Sequence, residues 1–137
     1  MIKSVHLGEE IVITTKNKIG LLAEVAMLLA SEGINVEAAQ GHEEGDTAKL
    51  MLVTNANIRI ISELRKRGYT SVEETEVVVV DIENKPGAIK VIATELGKNE
   101  IDIKYHYVTS CSCGGSSRMI LQTNDNENAI AVLSNYI

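Results

Sequence analysis

The spacing of apolar residues changes period at regular intervals along the chain, and each change marks an element. Ile11-Val12-Ile13-Thr14-Thr15 is a short β-branched run, long enough for a strand and too short for a helix. After a turn containing Asn17 and Gly20, Leu22, Val25, Ala26 and Leu29 recur at i, i+3, i+4 and i+7, the stripe of an amphipathic helix. Gly33 follows where a left-handed helix cap is wanted. Ile34-Asn35-Val36-Glu37-Ala38 alternates apolar and polar, which predicts a strand with one buried face. Glu44-Gly45-Asp46 then supplies hairpin chemistry, leading to a third strand over Lys49–Val53. A second helix carries Ile58, Ile61 and Leu64, and a fourth strand is expected near Ser71-Val72-Glu73-Glu74.

The same order then begins again. Val77–Ile82 reads as a strand and Ile89, Ile92, Ala93 and Leu96 as a helix stripe. Ile101-Asp102-Ile103-Lys104-Tyr105 reads as an alternating strand and Cys113-Gly114-Gly115-Ser116 as a hairpin tip, and Ile130, Leu133 and Ile137 mark a last helix. At an offset of 87 − 20 = 67, the window Ile11–Ile34 shares seven identities with its counterpart, among them Asn17/Asn84, Lys18/Lys85 and Gly20/Gly87. Chance would supply roughly one or two at average residue usage. Further on, Lys49–Asn55 aligns with Arg118–Asn124 at an offset of 69, so the second copy carries two extra residues. Fixed-offset similarity of this kind indicates a duplicated unit.

The expected fold class is therefore α+β, with two βαββαβ domains at 1–75 and 76–137. The second copy lacks a fourth strand before Ile137. Ile2–Leu7, part of an extension over residues 1–8 with no counterpart in the repeat, is the candidate to replace it.

Composition narrows the function classes. Aromatic residues make up 3% of the chain, with no Trp and no Phe, so the core must be aliphatic. The net charge of −6 argues against nucleic acid, which requires clustered cations. Arg65-Lys66-Arg67 sits at a helix end, where cations complement the dipole. Neither a signal-peptide core nor an apolar run of the roughly 18 residues a membrane helix requires is found, so no membrane association is expected. With two cysteines close together, a reduced, cytoplasmic chain is expected.

Asp81-Ile82-Glu83-Asn84-Lys85-Pro86-Gly87-Ala88-Ile89 followed by Ile101-Asp102-Ile103 resembles an ACT domain. So does Lys16-Asn17-Lys18-Ile19-Gly20-Leu21-Leu22 followed by Gly33-Ile34-Asn35-Val36. The resemblance implies two ferredoxin-like domains side by side, sheets joined edge to edge with helices on one side, and amino-acid effectors bound at the seam. It also implies a regulatory rather than catalytic role. In serine-regulated phosphoglycerate dehydrogenase, a member of the family, the ligand is held by the loop Asn and by an Asn eighteen positions later on the partner domain. Those roles carry over to Asn17 and Asn84, to Asn35, and to Asp102 in the second copy. Two departures stand out: Ile19 replaces the usual Pro, and Asp102 the usual Asn.

The implied binding residues are Asn84, Lys85, Pro86, Gly87 and Ala88 with Asn35 and Val36, and Asn17, Ile19, Gly20 and Leu21 with Asp102. Their chemistry suits a zwitterion. A helix's first turn offers unpaired N–H groups and positive potential to a carboxylate, and glycine clears the approach. Asn can both donate and accept, whereas ionised Asp102 only accepts, so the Asn84/Gly87–Asn35 combination is expected to be the tighter site. Leu21, Ala88, Val36 and Ile103 would line a pocket for a modest aliphatic side chain. A homo-oligomer, specifically a homodimer, is expected because exposed edge strands invite a second copy.

Other chemistry is weaker. Cys111 and Cys113 with His106 nearby fall short of the four ligands of a closed zinc site, so no metal and no cofactor are expected; the less favoured alternative, a metal-binding module using the Cys111/Cys113 loop, would need a second chain. His6, His42 and His106 are scattered, and nothing is spaced as a nucleophile with its base, so no catalytic residue is assigned. A third role keeps the fold but acts in trans, as a regulatory subunit of a separate biosynthetic enzyme, in the manner of the acetolactate synthase small subunit.

Overall fold

The computed structural model describes residues 1–110 and 115–137. Among these residues, six antiparallel strands and four helices follow in the order β1 (Ile2–Lys16), α1 (Leu21–Ser31), β2 (Val36–Glu44), β3 (Thr47–Thr54), α2 (Asn57–Lys66), β4 (Ser71–Glu83), α3 (Ala88–Lys98), β5 (Ile103–Ser110), β6 (Ser116–Thr123) and α4 (Asn126–Ser134). They form two compact units, one of Glu9–Thr75 and one of Met1–Gly8 with Glu76–Ile137. The long strands β1 and β4 each contribute residues to both units. The extension at Met1–Gly8, grouped with the first domain on sequence grounds, falls in the unit of Glu76–Ile137.

In the Glu9–Thr75 unit the strands lie in the order β2-β3-β1-β4, with β3 antiparallel to both β1 and β2. This is the ferredoxin-like arrangement. Ile11 and Ile13 of β1 and Leu50 and Leu52 of β3 face Val25 and Leu28 of α1 and Ile60 and Leu64 of α2 in one core cluster. Both helices therefore cover the same face of the sheet. Period-two strand positions meeting a 3.6-period stripe is what drives this layering.

In the other unit the order is β1-β4-β6-β5, and the fourth position is taken by the start of β1. Glu83 donates its backbone N–H to the Met1 carbonyl at 2.8 Å. The Ser4 hydroxyl donates to Asp81 at 3.1 Å, and Asp81 receives a two-pronged bond from Arg118 at 2.7 and 3.1 Å. That guanidinium holds the Asp81 carboxyl below the usual carboxylate range, although partial burial opposes the shift. Ile2 joins Val78, Ile92, Met119 and Leu133 in this unit's own core.

The two units repeat each other in polar detail. Asn57 at the start of α2 accepts from the backbone and hydroxyl of Thr54 and donates to the Glu9 carbonyl at 3.1 Å. Asn126 at the start of α4 does the same with Thr123 and the Glu76 carbonyl, at 3.0 Å. Each anchors a helix start to the adjacent strand.

Several expected details differ. The α1 stripe is Leu21, Val25, Leu28 and Leu29, whereas Leu22 is 61% exposed and Ala26 lies on the surface. In α3, Ala88, Ile92 and Leu96 are buried while Ile89 and Ala93 face outward. In α2, Ile60 and Leu64 are buried while Ile58 is 83% exposed; in α4, Ala129 and Leu133 are buried, and Ile137 lies past the end of the helix and is exposed. Consecutive apolar residues permit two stripe phases, and packing against the sheet selects one. Asn35 and Asp102 also precede their strands, which begin at Val36 and Ile103.

Candidate functional site

Both strand-to-helix loops turn on a glycine in the left-handed region, Gly20 at φ 86° and Gly87 at φ 93°. A side chain there would be strained, so glycine is a backbone requirement at both positions. Neither helix start has a side-chain cap. Asn17 and Asn84 are therefore not helix caps, the commonest structural role of Asn at such a point.

Asn17 ties its loop to the β2–β3 hairpin. Its backbone N–H donates to the Asp46 carbonyl at 2.7 Å, and its carboxamide donates to the Glu43 carboxylate. Lys18 reaches forward to Glu24 at 2.7 Å, and the Tyr69 hydroxyl donates to the same carboxylate at 2.7 Å. The Lys18 bond, then the Tyr69 bond, hold Glu24 below its ordinary range. Burial, with the Glu24 charge, pushes the Tyr69 hydroxyl up to about 12. Lys18 is thereby held in place by a partner that is itself fixed.

The loop and hairpin enclose a surface groove of about 640 Å³. Asn17, Ile19, Gly20 and Leu21 line one side, and Gly41, Glu43, Ala48 and Leu50 the other. Ile19 is fully exposed at its rim, while Leu21 is buried below. Nothing lies within 4 Å of the place where a Gly20 Cβ would stand. On β2, His42 is flanked by Gln40 at 3.1 Å and Glu44 at 3.0 Å, and the His42 contact followed by Lys49 lowers the Glu44 pKa. A ligand in this groove meets backbone amides past Gly20, the Asn17 carboxamide and the Glu43 carboxylate beside an aliphatic floor. Those groups match the carboxylate, ammonium and side chain of an α-amino acid.

The matching loop of the other unit is arranged differently. Asn84 donates its backbone N–H to the Gly115 carbonyl at 3.0 Å, and Lys85 turns back to Glu83 at 2.7 Å, lowering the Glu83 pKa. Pro86 and Gly87 are exposed and Ala88 is buried. The Met1 methyl lies 3.2 Å from where a Gly87 Cβ would stand, so that side of the glycine is covered.

Asn17, Ile19, Gly20 and Leu21 thus share one groove, while Asn35 and Val36 of the same unit are not among its lining residues. Asn35 uses its backbone N–H on the Asn55 side chain at 3.2 Å, and Asp102 bonds Asn124 in the same way at 3.0 Å. Sequence reasoning missed Gly41, Glu43, Ala48 and Leu50. A glycine inside the strand run after Val36 was the available signal.

Among the described residues no three or more His, Cys, Asp or Glu side chains are grouped to hold a metal. Cys111 and Cys113 lie outside the described residues. Among those described, no helix is long and apolar enough to cross a membrane.

Residues 10–67 match the family model of the ACT domain. No curated protein sequence gives a match. Among solved structures, a protein from Bacteroides thetaiotaomicron has a TM-score of 0.87 and 24% identity, over 96% of this chain and 90% of its own. The ligand-free regulatory subunit of aspartate kinase from Thermus thermophilus has a TM-score of 0.67 and 17% identity, over 98% and 97%. E. coli aspartokinase III, solved with aspartate and ADP, has a TM-score of 0.59 and 18% identity, over 98% of this chain and 33% of that one. At these identities the likeness is one of fold.

Proposed function

We propose that this chain is a non-catalytic, amino-acid-binding regulator built from two ACT-type domains, the second formed by Glu76–Ile137 with Met1–Gly8. The ligand sits between the strand-to-helix loop after β1 and the β2–β3 hairpin. Asn17, Ile19, Gly20 and Leu21 line that seat. The groove beside Gly20 carries this reading, because it lies in the segment that matches the ACT family and presents zwitterion-binding groups. Both second strands, β2 and β5, stand at the edge of their own unit's sheet, which supports closure by a further strand and a homodimer. A cytoplasmic location fits the sequence.

Calorimetric titration of the full chain with each of the twenty amino acids tests the proposal. At ligand 100-fold above Kd, roughly 2.7 kcal/mol of added stability is expected. No heat and no stabilisation from any of them at millimolar concentration would remove it.

A second reading gives the signal a recipient. The fold match extends over 97% of the Thermus regulatory subunit, which supports a chain acting in trans on a separate biosynthetic enzyme. Allosteric coupling of that kind is typically worth about 1–3 kcal/mol. Co-purification of an enzyme from the native host would support it, and a persistently solitary chain would leave a simple sensor.

A further inference from the structure

Gly41 stands in the middle of β2, where glycine weakens a strand and offers no side chain to pack. Its backbone does not call for glycine. Gly20, Gly33, Gly45, Gly68, Gly87 and Gly115 all have positive φ, and Gly41 is not among them. Nor is it locked in by rigid neighbours: an added Cβ would meet only Leu50 Cδ2 closer than 3.4 Å, at 2.8 Å. That atom is the far end of a flexible side chain. What the absent side chain leaves is space, because Gly41 and Leu50 both line the groove facing Asn17 and Gly20.

The other unit supplies the contrast. Gly41 is paired with Leu50 across β2 and β3, and Val108 is paired with Met119 across β5 and β6. Leu50 and Met119 correspond in the repeat, so Val108 is the counterpart of Gly41. There the strand carries a branched side chain, and the Met1 methyl lies 3.2 Å from where a Cβ on the loop glycine would stand.

We infer that Gly41 is the specificity-determining residue of a single amino-acid site per chain, the one beside Gly20, and that its missing side chain sets the size of the ligand side chain admitted. This rests on the amino-acid-binding reading above. The ligand class is an α-amino acid whose apolar side chain runs over Gly41, Ala48 and Leu50 toward Ile19. A side chain at position 41 takes up that space directly and drives Leu50 into what remains.

The test titrates the full chain with the twenty L-amino acids and takes the tightest binder into Gly41→Ala, Gly41→Val and Val108→Gly. One ligand per chain is expected in the unsubstituted protein. Gly41→Val should weaken binding at least 10-fold, Gly41→Ala should shift preference toward smaller side chains, and Val108→Gly should stay within twofold. If the unsubstituted chain binds no amino acid, the functional reading falls and this inference with it. If it binds, and folded Gly41→Val binds within twofold, only this inference is overturned. Should Gly41→Val not fold, Gly41→Ala and the amide shifts of the unsubstituted chain decide. Saturable shifts at Gly20 and Gly41 support the inference, and shifts confined to Gly87 and Val108 overturn it.

Discussion

The two units of this chain share an element order, a loop glycine and a helix-anchoring Thr–Asn pair, yet they treat the loop glycine in opposite ways. In Glu9–Thr75, Gly20 opens on a groove floored by Gly41 and Ala48. In the other unit the Met1 methyl lies 3.2 Å from where a Gly87 Cβ would stand, and Val108 occupies the strand position of Gly41. The loop backbone can thus be duplicated without duplicating the open space beside it. A left-handed turn is fixed by local sterics, whereas open space depends on which side chains arrive from elsewhere.

The comparison can be sharpened by paired substitutions. The largest effect should come from Leu64→Ala and Leu133→Ala, each emptying a fully buried position of one core. Each should cost about 2–5 kcal/mol, read by denaturant unfolding. Because the core clusters are separate, hydrogen exchange should accelerate mainly in the substituted unit. Uniform acceleration across both would show that the units unfold as one.

Next come the loop glycines. Gly20→Ala and Gly87→Ala should each cost roughly 1–2 kcal/mol for a left-handed alanine. Gly87→Ala should cost more, since its methyl also meets Met1 at 3.2 Å. Equal losses would mean that the Met1 side chain simply moves aside.

A smaller change tests the helix ends. Gly33 has φ 67°, and its counterpart Glu100, at an offset of 67, has φ 58° without being glycine. Glu100→Gly should therefore stabilise its unit by about 0.5–1 kcal/mol, less than the full left-handed cost because glycine loses more entropy on folding. A loss of stability would show that the Glu100 side chain contributes more than its backbone costs.

The smallest effect concerns the tyrosines. Tyr69 is buried and bonded to Glu24, whereas Tyr136 is exposed and bonded to Glu95. Tyr69→Phe should cost about 0.5–1.5 kcal/mol and Tyr136→Phe less. The folded Tyr69 pKa, about 12, lies above the ordinary value of 10. Its contribution is therefore complete below pH 10 and lost as pH rises through about 12. Thermal melts of the unsubstituted chain should fall across that window, and Tyr69→Phe should flatten the fall.

Much of this was legible in the residues. The offset identities Asn17/Asn84 and Gly20/Gly87 pointed to two loops of one kind, and Val77–Ile82 read as a strand and lies within β4. Gly20 and Gly87 were marked as special, and both adopt the left-handed turn. The helix phase was not legible, because Leu21-Leu22 and Met27-Leu28-Leu29 satisfy two stripes equally until a sheet selects one. Nor was the groove, whose far wall is brought by β3 and by the end of β2, more than twenty residues along the chain from Gly20.

What the sequence alone determined is what depends on neighbours a few positions away: strand and helix type and the turn glycines. What only the tertiary structure decided is what depends on distant parts meeting. The start of β1 completes the unit of Glu76–Ile137, the Met1 methyl comes close to Gly87, and Gly41 leaves room opposite Gly20. Dihedral preference and hydrophobic period are local and can be read from a string, whereas occupied and empty volume exist only once the chain has folded.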